Sequence, residues 1–226
     1  MGASGARARC TRRVLMAVPE WLSVPVAKVS PGCESTGPKH IGCLCFVADP
    51  MSSEPLRCLS TTGFTSDSRV PVDRCELIDP GSLIPFAPRT SEPLDRHRLD
   101  VALSRGRHAA ERAKLAGCGT LICLVLGADD ALAGGHPFAL SRPTRQAAYA
   151  GLRRIARFEI AALTGALIAA AQMGLRMYPR GSQAQLAAEI ALVLNPGVCD
   201  WLLGSRPRLA RPQDPQTRAK QLLTRP

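Results

Sequence analysis

Aromatic residues make up only 4% of this 226-residue chain, which argues against single-stranded nucleic-acid binding, where successive bases stack on aromatic platforms. Lysine is also sparse. It occurs only at Lys28, Lys39, Lys114 and Lys220, so the formal net charge of +11 is carried almost wholly by arginines scattered along the chain. An arginine excess beside abundant Ala, Gly and Pro is what GC-rich coding produces, and no basic stripe marks a nucleic-acid footprint. No apolar run reaches the roughly 20 residues needed to cross a membrane. The longest, residues 160–173, begins just after Arg157 and Glu159. Near the start, Arg7, Arg9, Arg12 and Arg13 precede VLMAV, but Pro19 and Glu20 cut that apolar stretch short, unlike an export signal. These absences lead to the expectation of a soluble, cytoplasmic protein without membrane or nucleic-acid partners.

Paired cysteines are missing too. The nine cysteines, at 10, 33, 43, 45, 58, 75, 118, 123 and 199, are odd in number and lack the regular spacing of a disulfide framework. Reduced thiols are the simpler account. Cys43-Leu44-Cys45, with Cys33 and Cys58 nearby, does not match the pairs separated by about two to four residues that structural zinc sites use. Neither a metal nor any other cofactor is expected.

The length suits one ordinary domain, and the character of the chain changes near Leu94. Residues 1–93 are rich in Pro, Ser, Cys and Gly, with short apolar pieces, WLSVPVAKV and CLCFVA, as strand candidates in an irregular region. Residues 94–203 read as an α/β domain. Residues 204–226 form a basic, Pro-rich stretch without apolar period, expected to be a disordered tail.

Within the α/β domain, Leu99, Leu103, Gly106, Ala110 and Ala113 recur at helical spacing, with Asp95 placed to cap the start and Gly117 to end it. TLICLVLG, residues 120–127, is a continuous apolar run of strand length, the pattern of a parallel strand covered on both faces. Helical pattern resumes near Thr144 and runs to Gly174, with a break near Arg157. Ala161, Gly165 and Ala169 form one column of small residues and Ala162, Ala166 and Ala170 the next, allowing close approach of a neighbouring element. Residues 175–178 read as a short strand. In the following SQAQLAAEIALVL, Ser182 and Gln185 fit a capping box. Asn195-Pro196 ends that helix and opens another, with Asn195 as cap. The alternation of strand and helix implies a parallel sheet with covering helices, a partial Rossmann-like domain.

The stretch RFEIAALTGALIAAAQMGL resembles the GGFEIAAL helix of the nicotinate-nucleotide:dimethylbenzimidazole phosphoribosyltransferase family, and LNPGVCDWLL resembles the segment before that family's His-Arg-Ser-Ala-Glu-Pro-Gly-His motif. Upstream, LDVALSRGRHAAERAKLAGCGTLIC is similar to the helix and strand that precede its glycine-rich loop. The resemblance covers roughly residues 94–203. It implies cobalamin lower-ligand assembly, nicotinate mononucleotide and a benzimidazole as substrates, and a homodimer. Gly127 and Gly181 are the substrate contacts that the resemblance carries over.

The motifs that hold the family's chemistry are largely replaced. Its loop Gly-Glu-Met-Gly-Ile-Gly-Asn-Thr is LVLGADDA here, where only Gly127 fits, Val125 takes the place of the acidic residue, and Asp129 and Asp130 would repel a phosphate. Its Asp-Gly-Phe is Arg180-Gly181-Ser182. The stretch between Leu132 and Leu152 is too short for its second glycine-rich segment and phosphate-pairing lysine. No residue after Leu203 is a glutamate, so the family's catalytic base has no candidate. A weaker likeness, of ICLVLGADDALAGG to the diphosphate-sugar loop of other phosphoribosyltransferases, fails on spacing: Gly134-Gly135 come one residue too soon and the threonine is absent. His40, His97, His108 and His136 have no nucleophile or ligand partner at a telling spacing, and Glu159 reads as a carboxylate placed to favour a helix dipole. The expectation is an inactive, degenerate relative of the phosphoribosyltransferase or a frameshifted reading of such a gene; the alternative is an active enzyme of that family.

Overall fold

The computed structural model describes residues 18–26, 40–48, 74–78, 94–126, 144–155 and 157–204. Apart from Gly204, the stretch expected to be a tail lies outside the described residues. The centre of the fold is a four-stranded sheet in the order β2-β1-β3-β4, in which every neighbouring pair is parallel. Strand β1 is His40–Val47, β2 Arg74–Ile78, β3 Cys118–Leu126 and β4 Arg176–Arg180. CLCFVA supplies most of β1, as its apolar run predicts. WLSVPVAKV behaves differently: Glu20–Ser23 close a 3-10 turn, with Leu22 N–H donating to Pro19 O. Pro19 and Pro25 remove backbone donors that a strand ladder would use. β2 had no apolar signature, because Arg74 and Glu76 interrupt it.

Among the described residues four α-helices accompany the sheet: α1 Arg96–Leu115, α2 Arg145–Ile155, α3 Phe158–Gln172 and α4 Ser182–Leu194. Asp95 caps α1 by accepting from Arg98 N at 2.7 Å, and Gly117 takes the left-handed φ of 83° that turns the chain into β3. Residues 145–172 are two helices, parted at Arg157, whose φ and ψ of −113° and 111° are extended. The expected capping box with Ser182 at the cap position is not formed. The helix already includes Ser182, and Gly181 occupies the cap position. Asn195 does cap the final 3-10 helix, Pro196–Trp201, accepting from Gly197 N at 3.2 Å.

Alternation along the strands sorts their side chains onto two faces. Leu44, Phe46, Ile78, Leu121, Cys123 and Met177 join the buried residues of all four helices in one core. On the other face, Cys43, Cys45, Ile122 and Leu124 form a smaller cluster. Thus, among the described residues, the helices cover one face of the sheet.

The small-residue columns of α3 meet α1. A Cβ on Gly106 would lie 1.7 Å from the carbonyl oxygen of Ala162, and one on Gly165 would lie 2.2 Å from that of Leu103. Both distances are far inside van der Waals contact, so glycine is what lets these backbones touch. Leu94 at the start of α1 is tied to α2 by a reciprocal pair, its N–H donating to Arg153 O at 2.9 Å and its carbonyl accepting from Arg153 Nε at 2.7 Å. No helix of the described residues is long and apolar enough to cross a membrane.

Candidate functional site

Strand order and chain order together locate a site. The chain passes from β1 outward to β2, then back across β1 to β3 and on to β4. The reversal lies between β1 and β3, and open parallel sheets bind ligands in the crevice at the carboxyl ends of their strands near such a reversal. Ala48 N–H donates to Leu126 O at 2.8 Å across that edge. Gly127, one of the two expected contacts, follows Leu126 directly in the chain but lies outside the described residues, as do Asp129, Asp130, Gly134 and Gly135.

Gly181 is placed clearly. It follows β4 at the same edge, with φ 87° and ψ 161°, and a Cβ added there would meet nothing within 4 Å. Its carbonyl accepts from Gln185 N at 3.0 Å, so it opens α4 and the N-terminal end of that helix lies at this edge. This backbone region is adopted almost only by glycine. Arg180, immediately before it, places its guanidinium 5.7 Å from the ring centre of Tyr178.

Helix α3 begins at the same edge. Gly174 turns its end straight into β4, so α3 must run opposite to the strands, and α4 does the same after Gly181. Thr164 and Ala187 meet accordingly, the Thr164 hydroxyl lying 3.5 Å from Ala187 O while donating to Ile160 O at 2.7 Å. Glu159 is the second residue of α3 and only 5% exposed, its carboxylate 3.4 Å from Arg157 Nη1. Burial beside a cation at a helix start agrees with a structural carboxylate. Gln183, the second residue of α4, is also buried. The described ends of β1, β3 and β4 are Val47-Ala48, Leu126 and Arg180-Gly181, none of them acidic. His97 and His108 are exposed on α1, and His40 is exposed at the start of β1, at the opposite edge; His136 lies outside the described residues.

A second cluster lies on the sheet face away from the helices. Cys43 and Cys45 of β1 place their sulfurs 3.3 Å apart, and Cys75 of β2 is 3.7 Å from Cys45. Register explains the meeting, since Cys43 and Cys75 are partners across the parallel pair. Cys33 and Cys58, the neighbours suggested by sequence, lie outside the described residues. Contacts from the Cys43 thiol first, and from Cys45 next, hold Cys75 well below the ordinary thiol range. Cys43 is pushed up, chiefly by its contact with Cys45, then by Cys75 and by burial. Spacing along the chain gives no hint of Cys75, because the pairing of two distant strands brings it in.

No protein-family model matches this chain. Over 52 residues, 23% of its length, it is 58% identical to the nicotinate-nucleotide–dimethylbenzimidazole phosphoribosyltransferase of Xanthomonas oryzae pv. oryzae (strain PXO99A). It is 52% identical over 52 residues to the protein of that name from Azotobacter vinelandii (strain DJ / ATCC BAA-1303). In both cases the matched stretch spans 15% of the relative. The crystal structure of CobT from Thermus thermophilus superposes with a TM-score of 0.53 at 17% identity, covering 74% of this chain and 69% of that one, a likeness of fold. In the sequence of one 52-residue stretch, and in α/β fold over 74% of its length, this chain is similar to the nicotinate-nucleotide–dimethylbenzimidazole phosphoribosyltransferases.

Proposed function

We propose that this chain is a non-catalytic relative of the phosphoribosyltransferase that couples nicotinate mononucleotide to dimethylbenzimidazole, keeping the scaffold and a nucleotide-binding edge while lacking the transfer chemistry. The supporting observation is the makeup of the strand ends. A general base must reach the proton it removes to within hydrogen-bond distance, and at the end of β4 Arg180-Gly181-Ser182 stands where the resembled family has Asp-Gly-Phe, so the acidic residue of that motif is replaced by a cation. Glu159 lies buried with its carboxylate 3.4 Å from Arg157 Nη1, a contact that ties it to the fold.

Binding is a separate matter from turnover. The open space at Gly181, at the N-terminal end of α4 where the helix dipole favours an anion, supports a resting place for a phosphate group. Gly127 follows the neighbouring strand and is assigned to the same role. Fold persists when a site is lost, since function resides in particular side chains.

The test is an assay of the purified chain with nicotinate mononucleotide and dimethylbenzimidazole at high concentration, followed by chromatography for α-ribazole phosphate. No product is expected, whereas a thermal-shift titration with nicotinate mononucleotide alone should raise the melting temperature with ligand concentration. Product formation would establish the active enzyme instead, and a flat titration would remove the binding role.

A further inference from the structure

Cys43, Cys45 and Cys75 bring three sulfurs within 4.8 Å of one another, two of them buried and one exposed. A buried free cysteine is ordinarily a small hydrophobe. That reading accounts for Cys43 and Cys45 against Ile41, Ile122 and Leu124. It does not account for Cys75, an exposed residue on β2 whose sulfur nevertheless turns toward the buried pair.

We propose that Cys43, Cys45 and Cys75 form a three-thiolate site for a soft, closed-shell metal cation of the zinc or copper(I) class, entered from the exposed Cys75 side.

Distances support the assignment. A tetrahedral ion with metal–sulfur bonds of about 2.3 Å holds its sulfurs about 3.8 Å apart; here Cys43–Cys45 and Cys45–Cys75 are separated by 3.3 and 3.7 Å, and all three sulfurs lie within 4.8 Å of one another. Closing on an ion therefore requires sulfur shifts of at most about an ångström, within the reach of cysteine rotation about χ1. The backbone needs no rearrangement, since β1 and β2 are already hydrogen-bonded in register. Ligand type selects the ion. The hydrophobic side chains clustered with Cys43 and Cys45 carry no oxygen ligand, and thiolates prefer zinc and copper(I) over magnesium or calcium. Three of the four ligands of such an ion are supplied by the described residues. Each ligating thiol passes its proton to solvent as the metal–sulfur bond forms, leaving the metal's oxidation state unchanged.

This site lies on the sheet face opposite the helices and is independent of the proposed nucleotide edge. The full chain, reduced and stripped of metal, would be titrated with Cd²⁺ as a zinc surrogate while the sulfur-to-metal charge-transfer absorbance is followed. Zn²⁺ would then be added in competition. A band saturating at one equivalent and reversed by Zn²⁺ is expected. Cys75→Ser, at an exposed position that leaves the core untouched, should weaken binding by about tenfold or more, while Cys199→Ser, exposed and outside the cluster, should leave it unchanged. Absence of a saturable band, or a band of full affinity in Cys75→Ser, would overturn the assignment.

Discussion

Gly106 of α1 lies directly against the backbone of Ala162 in α3, so closely that a methyl group on Gly106 would sit 1.7 Å from the Ala162 carbonyl oxygen. Gly165 makes the reciprocal approach to Leu103 at 2.2 Å. Two helices that cross through glycine can bring Ala102, Leu103, Ala109 and Ala110 of one against Ala162, Ala166 and Ala169 of the other, all of them buried. This crossing sets the distance between α1 and α3.

Gly106→Ala and Gly165→Ala should each destabilise the fold by about 3 kcal/mol, because the obstructing atoms are backbone and cannot rotate aside. Chemical denaturation of each variant measures the cost. The double variant should lose less than the sum, since the first substitution already separates the helices. Strict additivity, or a loss within the ±0.5 kcal/mol usual for neutral surface changes, would show that the crossing is looser than described.

Tyr149 is buried, and its hydroxyl donates to Asp100 Oδ1 at 2.6 Å, joining α2 to α1. Burial first, then the Asp100 hydrogen bond and the Asp100 charge, push the phenol upward from its ordinary value of 10.0, with Arg96 and Arg153 opposing. An acid whose pKa is higher in the folded state stabilises that state fully below the unfolded value of about 10 and loses the contribution as pH rises through the folded value. In a Tyr178→Phe background Tyr149 is the one remaining tyrosine. Its tyrosinate absorbance should therefore appear above the pH of a free tyrosine, and a normal titration curve in folded protein would contradict the buried bond. Tyr149→Phe should cost about 1.5 kcal/mol at neutral pH and remove this alkaline loss.

Asn195 fastens the two ends of the described chain to each other. Its side-chain amide donates to Leu22 O at 3.0 Å and to Val24 O at 2.9 Å, and its oxygen accepts from Gly197 N at 3.2 Å. Gln172 adds a bond to Trp21 O at 2.7 Å. Replacing Asn195 by Ala leaves a buried carbonyl without its donor and removes a helix cap, at a cost of about 2 to 3 kcal/mol. Hydrogen exchange at Leu22 and Val24 should accelerate in the same variant. Unchanged exchange there would mean that the turn at Glu20–Ser23 is held by something other than Asn195.

Residues whose signal is local were legible from the sequence. The Asp95 cap, the left-handed Gly117, the apolar run of β3, the break at Arg157 and the Asn195-Pro196 start each depend on a few neighbouring side chains, and each recurs in the structure. The small-residue columns of α3 announced a close contact, since side-chain size along one helix face is a property of the chain alone. Ser182 was misplaced by one position: local capping preference ranks serine above glycine, but the chain leaves β4 through a φ of 87° at Gly181, and the helix has already begun at Ser182.

Partnership across long separations was decided by tertiary structure. Nothing in RCELI marks it as a strand, yet pairing with β1 supplies the hydrogen bonds that its own composition does not advertise. The same pairing carries Cys75 to Cys43 and Cys45, and the crossing selects Gly106 as the partner of Ala162. The sequence alone determined where helices start and stop and which faces are apolar, because those follow from short-range sterics and hydrogen bonding. Which surfaces meet depends on burying all of those faces at once, a condition satisfied only when the whole chain packs.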